Sequence, residues 1–174
     1  SAECGIIEDP WTEPPADIWT WTKSPDKTPN KPVYVEIGFE KGIPVSLDGQ
    51  EIDGVSLIMK LNELAGEHGI GRIDHIENRL VGIKSRETYE APAATVLLMA
   101  HQALEAMTLS KDQLRFKAKT AIEIADIIYN GLWFSALNRD LSAYIQSTQR
   151  YVTGTVRVKL FKGHSMVVGR KSPK

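Results

Sequence analysis

Apolar residues recur with a period of two in two parts of the chain and with a helical period between them. Val33, Val35, Ile37 and Phe39 alternate with Tyr34, Glu36 and Gly38, the pattern of a half-buried strand. Lys41-Gly42 offers a tight turn, after which Ile43, Val45 and Leu47 resume the alternation. Asp48-Gly49 closes this second strand with residues suited to the positive φ of a hairpin turn. A hairpin is therefore predicted near 33–48. Four helical segments follow. Asp53 or Ser56 caps the first, which places Leu57, Ile58, Leu61, Leu64 and Ala65 on one face and ends at Gly66 or Gly69. The second runs over about 92–107, with Pro92 in its first turn and Leu97, Leu98, His101 and Leu104 on one side. Ser110 and Gln113 have capping-box spacing and open a third helix carrying Leu114, Ala118, Ala121, Ile122, Ala125, Ile128 and Tyr129. A shorter fourth covers roughly 139–149. Alternation returns over 155–161, and after a Lys162-Gly163 turn over 165–168, a second hairpin near 155–168. Strands, then helices, then strands make an α+β fold: antiparallel strands packed with a central group of about four helices. No internal repeat interrupts this order.

Proline and tryptophan change the picture at the start. Six of the nine prolines and three of the four tryptophans lie in residues 1–32. Such proline density disfavours helix interior and central strand, yet interleaved Trp is not linker composition. Residues 1–32 read as an extended arm pinned onto a partner surface by its indoles, ahead of an α+β domain over 33–174. Packing of the arm within its own chain is the blander alternative. A proline-rich recognition ligand suits the aromatic content less well.

Charge excludes more than it suggests. The 21 Lys+Arg and 22 Asp+Glu leave a net charge of −1, which gives no bulk attraction to nucleic acid or a membrane surface. Residues 150–174 hold seven basic residues and no acid, but these alternate with Val and Leu as on the outer face of a sheet. Cys4 is the sole cysteine, which excludes an internal disulfide framework and a multi-cysteine zinc site and fits a reducing, cytoplasmic compartment. The longest apolar run, 96–100, is far short of the ~18 residues of a membrane span. No signal peptide is predicted. Ser1 in place of Met suggests that an upstream part has been removed.

The chemistry-bearing residues are sparse. His68, His75, His101 and His164 show no mutual metal-ligand spacing. His101 and Glu105 lie one helical turn apart, but two groups are not a site. The glycines of 66–71 follow a helix, so they read as a C-cap rather than a phosphate cradle. No Walker sequence, GxGxxG or nucleophile elbow occurs. Between Arg72 and Glu90, however, acids, bases, Ser85 and Tyr89 crowd around a short apolar segment, 80–83. A solvated loop or an ion-pair network accounts for this. A site for a zwitterionic amino acid also would: a carboxylate for the ammonium, Arg or Lys for the carboxylate, hydroxyls for orientation.

Long ordered segments decide between these readings. Glu3-Cys4-Gly5-Ile6-Ile7-Glu8-Asp9-Pro10-Trp11, Val35-Glu36-Ile37-Gly38-Phe39-Glu40-Lys41-Gly42-Ile43-Pro44-Val45 and the stretch from Gly69-Ile70-Gly71-Arg72-Ile73-Asp74 to Thr95 resemble the argininosuccinate synthase family, specifically its C-terminal synthetase part. The likeness continues through Gly169-Arg170. It implies a ligase of arginine biosynthesis. ATP adenylates the ureido oxygen of citrulline with loss of pyrophosphate, and the aspartate amine displaces AMP to give argininosuccinate. In that family ATP, with Mg, is bound by an N-terminal domain with a Ser-Gly-Gly loop. No such sequence is present here, so the resemblance implies no cofactor, metal or catalytic residue in this fragment, and inactivity alone.

What carries over is citrulline binding. By position in the family's motifs, Ser1 is the Ser of Ser-x-Glu-x-Gly, Glu77 the Glu of Glu-Asn-Arg and Tyr89 the Tyr preceding Glu-x-Pro. Glu77 would pair with the α-ammonium, the hydroxyls of Ser1 and Tyr89 completing the cage. Glu77 and Tyr89 stand 12 residues apart, or ~40 Å fully extended. A shared site therefore requires a turn, expected at Gly82 or 84–86. Ala91 and Ala94 depart from the Thr and Gly of many members. The family's partners are citrulline, with aspartate and ATP in the full-length enzyme, and a homotetramer; its C-terminal oligomerisation tail would lie beyond Lys174. The rival reading is a non-catalytic assembly module that binds no citrulline.

Overall fold

The computed structural model describes residues 2, 3 and 5–174. After a two-residue strand, β1 (Ala2–Glu3), the arm makes three short 3-10 turns, at Gly5–Ile7, Ala16–Ile18 and Pro25–Lys27. The predicted alternation then appears as β2 (Val33–Glu40) and β3 (Ile43–Leu47), with Asp48-Gly49 turning into a short β4 (Gln50–Glu51). Asp48 (φ 51°) and Gly49 (φ 78°) both take the left-handed conformation that turn demands. Next come α1 (Gly54–Glu67), a strand pair β5 (Arg72–Asn78) and β6 (Lys84–Glu90), and three helices, α2 (Pro92–Thr108), α3 (Lys111–Tyr129) and α4 (Ala136–Gln149). The last hairpin is β7 (Gly154–Phe161) and β8 (His164–Lys171).

Two antiparallel sheets result, a five-stranded one in the order β4-β3-β2-β7-β8 and a three-stranded one in the order β1-β6-β5. The α+β fold class is as the sequence predicts. On the large sheet, Val35, Ile37, Val156, Val158 and Leu160 turn inward against Leu57, Leu61 and Ala65 of α1 and Val96, Ala100 and Leu104 of α2. On the outer face Arg157 lies opposite Glu36 and donates to its carboxylate, the solvated basic face expected of this strand.

The helix caps follow the sequence. Asp53 accepts from the N–H groups of Val55 and Ser56, and Ser110 and Gln113 form the capping box. Ser135 accepts from Asn138 N–H, so α4 starts at Ala136, earlier than its apolar pattern indicates. The stripes fare less well. The buried face of α2 is Ala93, Val96, Ala100 and Leu104, while Leu98 points outward. On α3 only Thr120 and Ile127 are buried, and Ile122, Ile128 and Tyr129 are exposed. Of the four helices, α1 and α2 cover the sheet, and α3 packs against α4. Among the described residues nothing covers most of the α3 stripe.

The β5–β6 hairpin is the element the apolar pattern did not reveal. Its turn closes with Arg79 N–H donating to Ile83 O and Gly82 N–H to Arg79 O, with Gly82 at φ 82°. The chain thus reverses at Gly82, one of the expected positions. Strand side chains alternate between faces, and both faces of this hairpin are polar because each has work for polar groups. Arg72, Arg86 and Glu90 share the back face, and it holds the arm. Glu90 accepts from the N–H groups of Thr20 (2.8 Å), Trp21 (3.0 Å) and Thr22 (2.8 Å) and from the Thr22 hydroxyl (2.6 Å). Arg72 donates to Thr22 Oγ1 and O, and Arg86 donates to the carbonyls of Asp9 and Thr12 while forking onto Asp74.

The arm therefore docks in cis chiefly through its main chain. Trp11 is 94% exposed and Trp21 60%; of the three indoles, Trp19 alone meets a cation among the described residues, with Arg72 4.9 Å above its ring. Prolines leave this segment few helix or sheet partners, so its remaining N–H and C=O groups are what side chains can grip.

Replacing Leu104, wholly buried, by Ala should cost about 3 kcal/mol in urea unfolding. Met107→Ala on an exposed part of the same helix should cost under about 1 kcal/mol. For Glu90, burial is the largest single influence and raises its pKa, but the Thr22 hydroxyl and three amides together outweigh it and hold the pKa below the ordinary value. A depressed carboxylate contributes stability above its unfolded pKa, about 4.3, and loses it as pH falls through the folded value. Arm docking should accordingly persist at neutral pH and weaken below about pH 4. Glu90→Gln should speed proteolysis within residues 1–32 already at pH 7, which limited proteolysis with mass spectrometry would read.

Candidate functional site

The front face of the same hairpin carries Ile73, His75 and Glu77 from β5 opposite Tyr89, Glu87 and Ser85 from β6. Antiparallel register sets Glu77 opposite Ser85 and Ile73 opposite Tyr89, so Glu77 and Tyr89 are diagonal neighbours separated by the His75–Glu87 pair. The Tyr89 hydroxyl donates to Glu77 Oε2 at 3.2 Å. His75 Nε2 lies 3.0 Å from the same oxygen, and its ring stands edge-on to Tyr89 with centroids 5.5 Å apart. Burial first, then the charge and hydrogen bond of Glu77, push the Tyr89 pKa above the ordinary phenol value. Tyr89 is thus a neutral donor at physiological pH.

Glu87 is buried, and a buried carboxylate requires a full set of partners. Arg79 Nη2 donates to Glu87 Oε1 at 2.7 Å and Ser85 Oγ to the same atom at 2.7 Å, while Arg79 Nε reaches Ser85 Oγ at 3.0 Å. The turn residue Arg79 folds back over its own hairpin and neutralises the acid beneath the site. Tyr129 at the end of α3 donates to Asn78 O at 2.9 Å, tying the turn to the helices. The face is open on one side, and Leu80, Val81 and Ile83 at the hairpin tip are exposed.

Of the three residues expected to bind one ligand, the fold brings Glu77 and Tyr89 together. Ser1 lies outside the described residues; β1 pairs with β6 through Ala2 and Thr88, beside Tyr89. Ala91 is the N-cap of α2 and makes no side-chain cap, so the departure from Thr removes a potential acceptor at that helix start. Ala94 is solvent-exposed on α2. Arg79, Ser85 and Glu87 belong to the polar stretch weighed as a possible amino-acid site, with no role assigned to any of them, and His75 was missed. Only the period-two spacing of His75 and Glu77 on one strand face would have signalled it, and without alternating apolar residues no strand was read there.

The other constellations are structural. Gly69, at φ 74°, follows the α1 C-cap His68, as the C-cap reading requires. Glu105 is buried and accepts from Gln149 Nε2 at 2.7 Å and pairs with Lys117 Nζ at 3.1 Å, while His101 Nε2 lies 2.8 Å from Gln149 Oε1. His101 and Glu105 thus join α2, α3 and α4 in a satisfied polar cluster.

Comparison with known proteins gives the same boundaries. The family model described as arginosuccinate synthase C-terminal domain matches residues 1–174. A protein of Dehalococcoides mccartyi named argininosuccinate synthase is 61% identical over 173 residues, 99% of this chain and 43% of that protein. Its namesake in Trichodesmium erythraeum is 61% identical over 170 residues, covering 98% and 42%, and one in Bacillus cereus 59% over 172 residues, covering 99% and 43%. The chain spans less than half the length of these curated relatives. A match from the first residue to the last, on the same strands that bring Glu77 to Tyr89, shows that the chain belongs to the argininosuccinate synthase family and corresponds to its C-terminal domain.

Proposed function

We propose that this chain supplies part of the citrulline subsite of an ATP-dependent ligase that joins citrulline and aspartate into argininosuccinate. The observation that supports it most directly is the convergence of Glu77 and Tyr89, 12 residues apart in sequence, onto one 3.2 Å hydrogen bond. Glu77 is the charge partner for the α-ammonium of citrulline, and Tyr89 the hydroxyl that orients its neighbour. Ser1 is assigned the same ligand on the resemblance. Arg79 and Glu87 brace the floor without contributing net charge, which leaves Glu77 as the anion a cationic group meets.

The triphosphate of ATP does not fit here. The uncompensated charge of the front face is the Glu77 carboxylate, which repels a triphosphate, and the sequence has no glycine-rich phosphate loop. Nucleotide and aspartate are assigned to the portion of the relatives outside this chain, and the 174 residues alone are inactive. Assembly into a homo-oligomer, a tetramer in the family, is supported by apolar side chains uncovered at the α3–α4 corner, where Phe134 is 98% exposed and Leu132 and Trp133 about half. The same corner, with Trp11, favours the second reading, a non-catalytic assembly module. No described helix is long and apolar enough to cross a membrane, which suits the cytoplasmic setting proposed from the lone cysteine.

Calorimetric titration with citrulline separates the two. On the ligase reading the chain binds citrulline, Glu77→Gln weakens it about tenfold or more and Tyr89→Phe about fivefold, as loss of a charged and a neutral hydrogen bond would. Absence of heat at millimolar citrulline, with self-association retained, favours the assembly module. Argininosuccinate formed by the isolated chain would overturn the assignment of ATP to the portion of the relatives outside this chain.

A further inference from the structure

We propose that His75 is a positioning residue for Glu77 and Tyr89, holding the carboxylate in the one orientation that leaves an oxygen for the ligand ammonium; this rests on the citrulline reading above. A carboxylate only accepts hydrogen bonds, so the 3.0 Å contact of His75 Nε2 with Glu77 Oε2 puts the proton on Nε2. Tyr89 donates to that same oxygen at 3.2 Å. Two donors on Oε2 stop rotation of the carboxylate, and Oε1 is left without a partner among the described residues. A single donor would not do this, because a glutamate side chain turns about three bonds and the hydroxyl follows it.

His75 is placed for this role by register. It sits opposite Glu87 and between Ile73 and Glu77 on the front face, so its ring meets Tyr89 edge-on and Glu77 through Nε2. Neither adjacent acid competes for it. Glu87 is engaged by Arg79 and Ser85, and Asp74 faces the other way into the Arg86 fork. The side chain is 47% exposed, so it fills no core that its loss would empty. Sequence reading set His75 aside because no second histidine stood at metal spacing; its partner is the carboxylate two residues on.

The test uses two readouts on the 174-residue chain. The first needs no ligand: ionisation of Tyr89 followed by NMR with 13Cζ-tyrosine, with Glu77→Gln marking full loss of the carboxylate. His75→Leu should move the Tyr89 pKa down towards that of Glu77→Gln, and His75→Gln, whose amide nitrogen reaches the place of Nε2, should restore it. His75→Asn, one bond shorter, should behave like His75→Leu. The second is citrulline affinity, expected to fall about fivefold to tenfold in the Leu and Asn variants and to recover in Gln. A Tyr89 pKa unmoved by His75→Leu, or equal in Gln and Asn, overturns the role of His75 whatever citrulline does. Unchanged citrulline affinity in His75→Leu overturns it equally. A chain that shows the Tyr89 shifts but binds no citrulline upholds His75 as the positioning residue and sinks the citrulline reading instead. If His75→Leu loses the hairpin's amide pattern, the Gln and Asn pair alone decides.

Discussion

Three successive peptide N–H groups, those of Thr20, Trp21 and Thr22, converge on the Glu90 carboxylate, and the rest of the arm depends on that convergence. A segment with prolines at 10, 14, 15, 25 and 29 has no helix or ladder of its own in which to satisfy its backbone. The hairpin supplies the missing partners from outside, an anion for the amides and the Arg72 and Arg86 guanidiniums for the carbonyls. Each charge is met by several hydrogen bonds, which is the condition under which partly buried charges remain tolerable. Beyond Thr22 the hold passes to the domain, through Lys23 N–H to Gly66 O and Lys162 Nζ to Thr28 O.

The strands that grip the arm on one side present the candidate site on the other. Residues at even positions of β5, such as Arg72 and Asp74, belong to the docking face, and those at odd positions, His75 and Glu77, to the site. The two faces therefore share one backbone, and each side chain's face is set by its place in the register. The site also has its own brace in Arg79, which returns from the turn to neutralise Glu87. With β1 adding only two residues to the sheet, this layered pairing of charges supplements a hairpin that alone would be at best marginally stable.

This two-sidedness also explains what was legible in the sequence. Strands with one apolar face announced themselves through alternation, as with Val33 to Phe39, and helix starts through Asp53 and Ser110. Strands without an apolar face did not. Ile73 and Ile76 fall on opposite faces, so β5 and β6 read as a solvated loop. The turn at Gly82 was legible only because two residues proposed to share one ligand had to meet. The indoles misled for a related reason: Trp11 and Trp21 suggested hydrophobic pinning, whereas Thr20 and Thr22, small and polar, mark where the arm is held. On α3 the apolar stripe is real but faces outward. Periodicity reports that a face needs covering and is silent on whether its own chain covers it.

Because both faces of β5 and β6 are committed, the hairpin carries a parity constraint. Inserting or deleting one residue within either strand would exchange its faces, turning Glu77 towards the arm or Glu90 towards the candidate site. Length can vary there only by two residues at a time, or within the turn from Arg79 to Ile83, where Gly82 already relaxes the backbone. In most strands such a slip is resisted by the cost of exposing oil to water. Here it is resisted by the mismatch of two separate sets of charges, so the hairpin works as an indexed part, correct in one setting and wrong in the next.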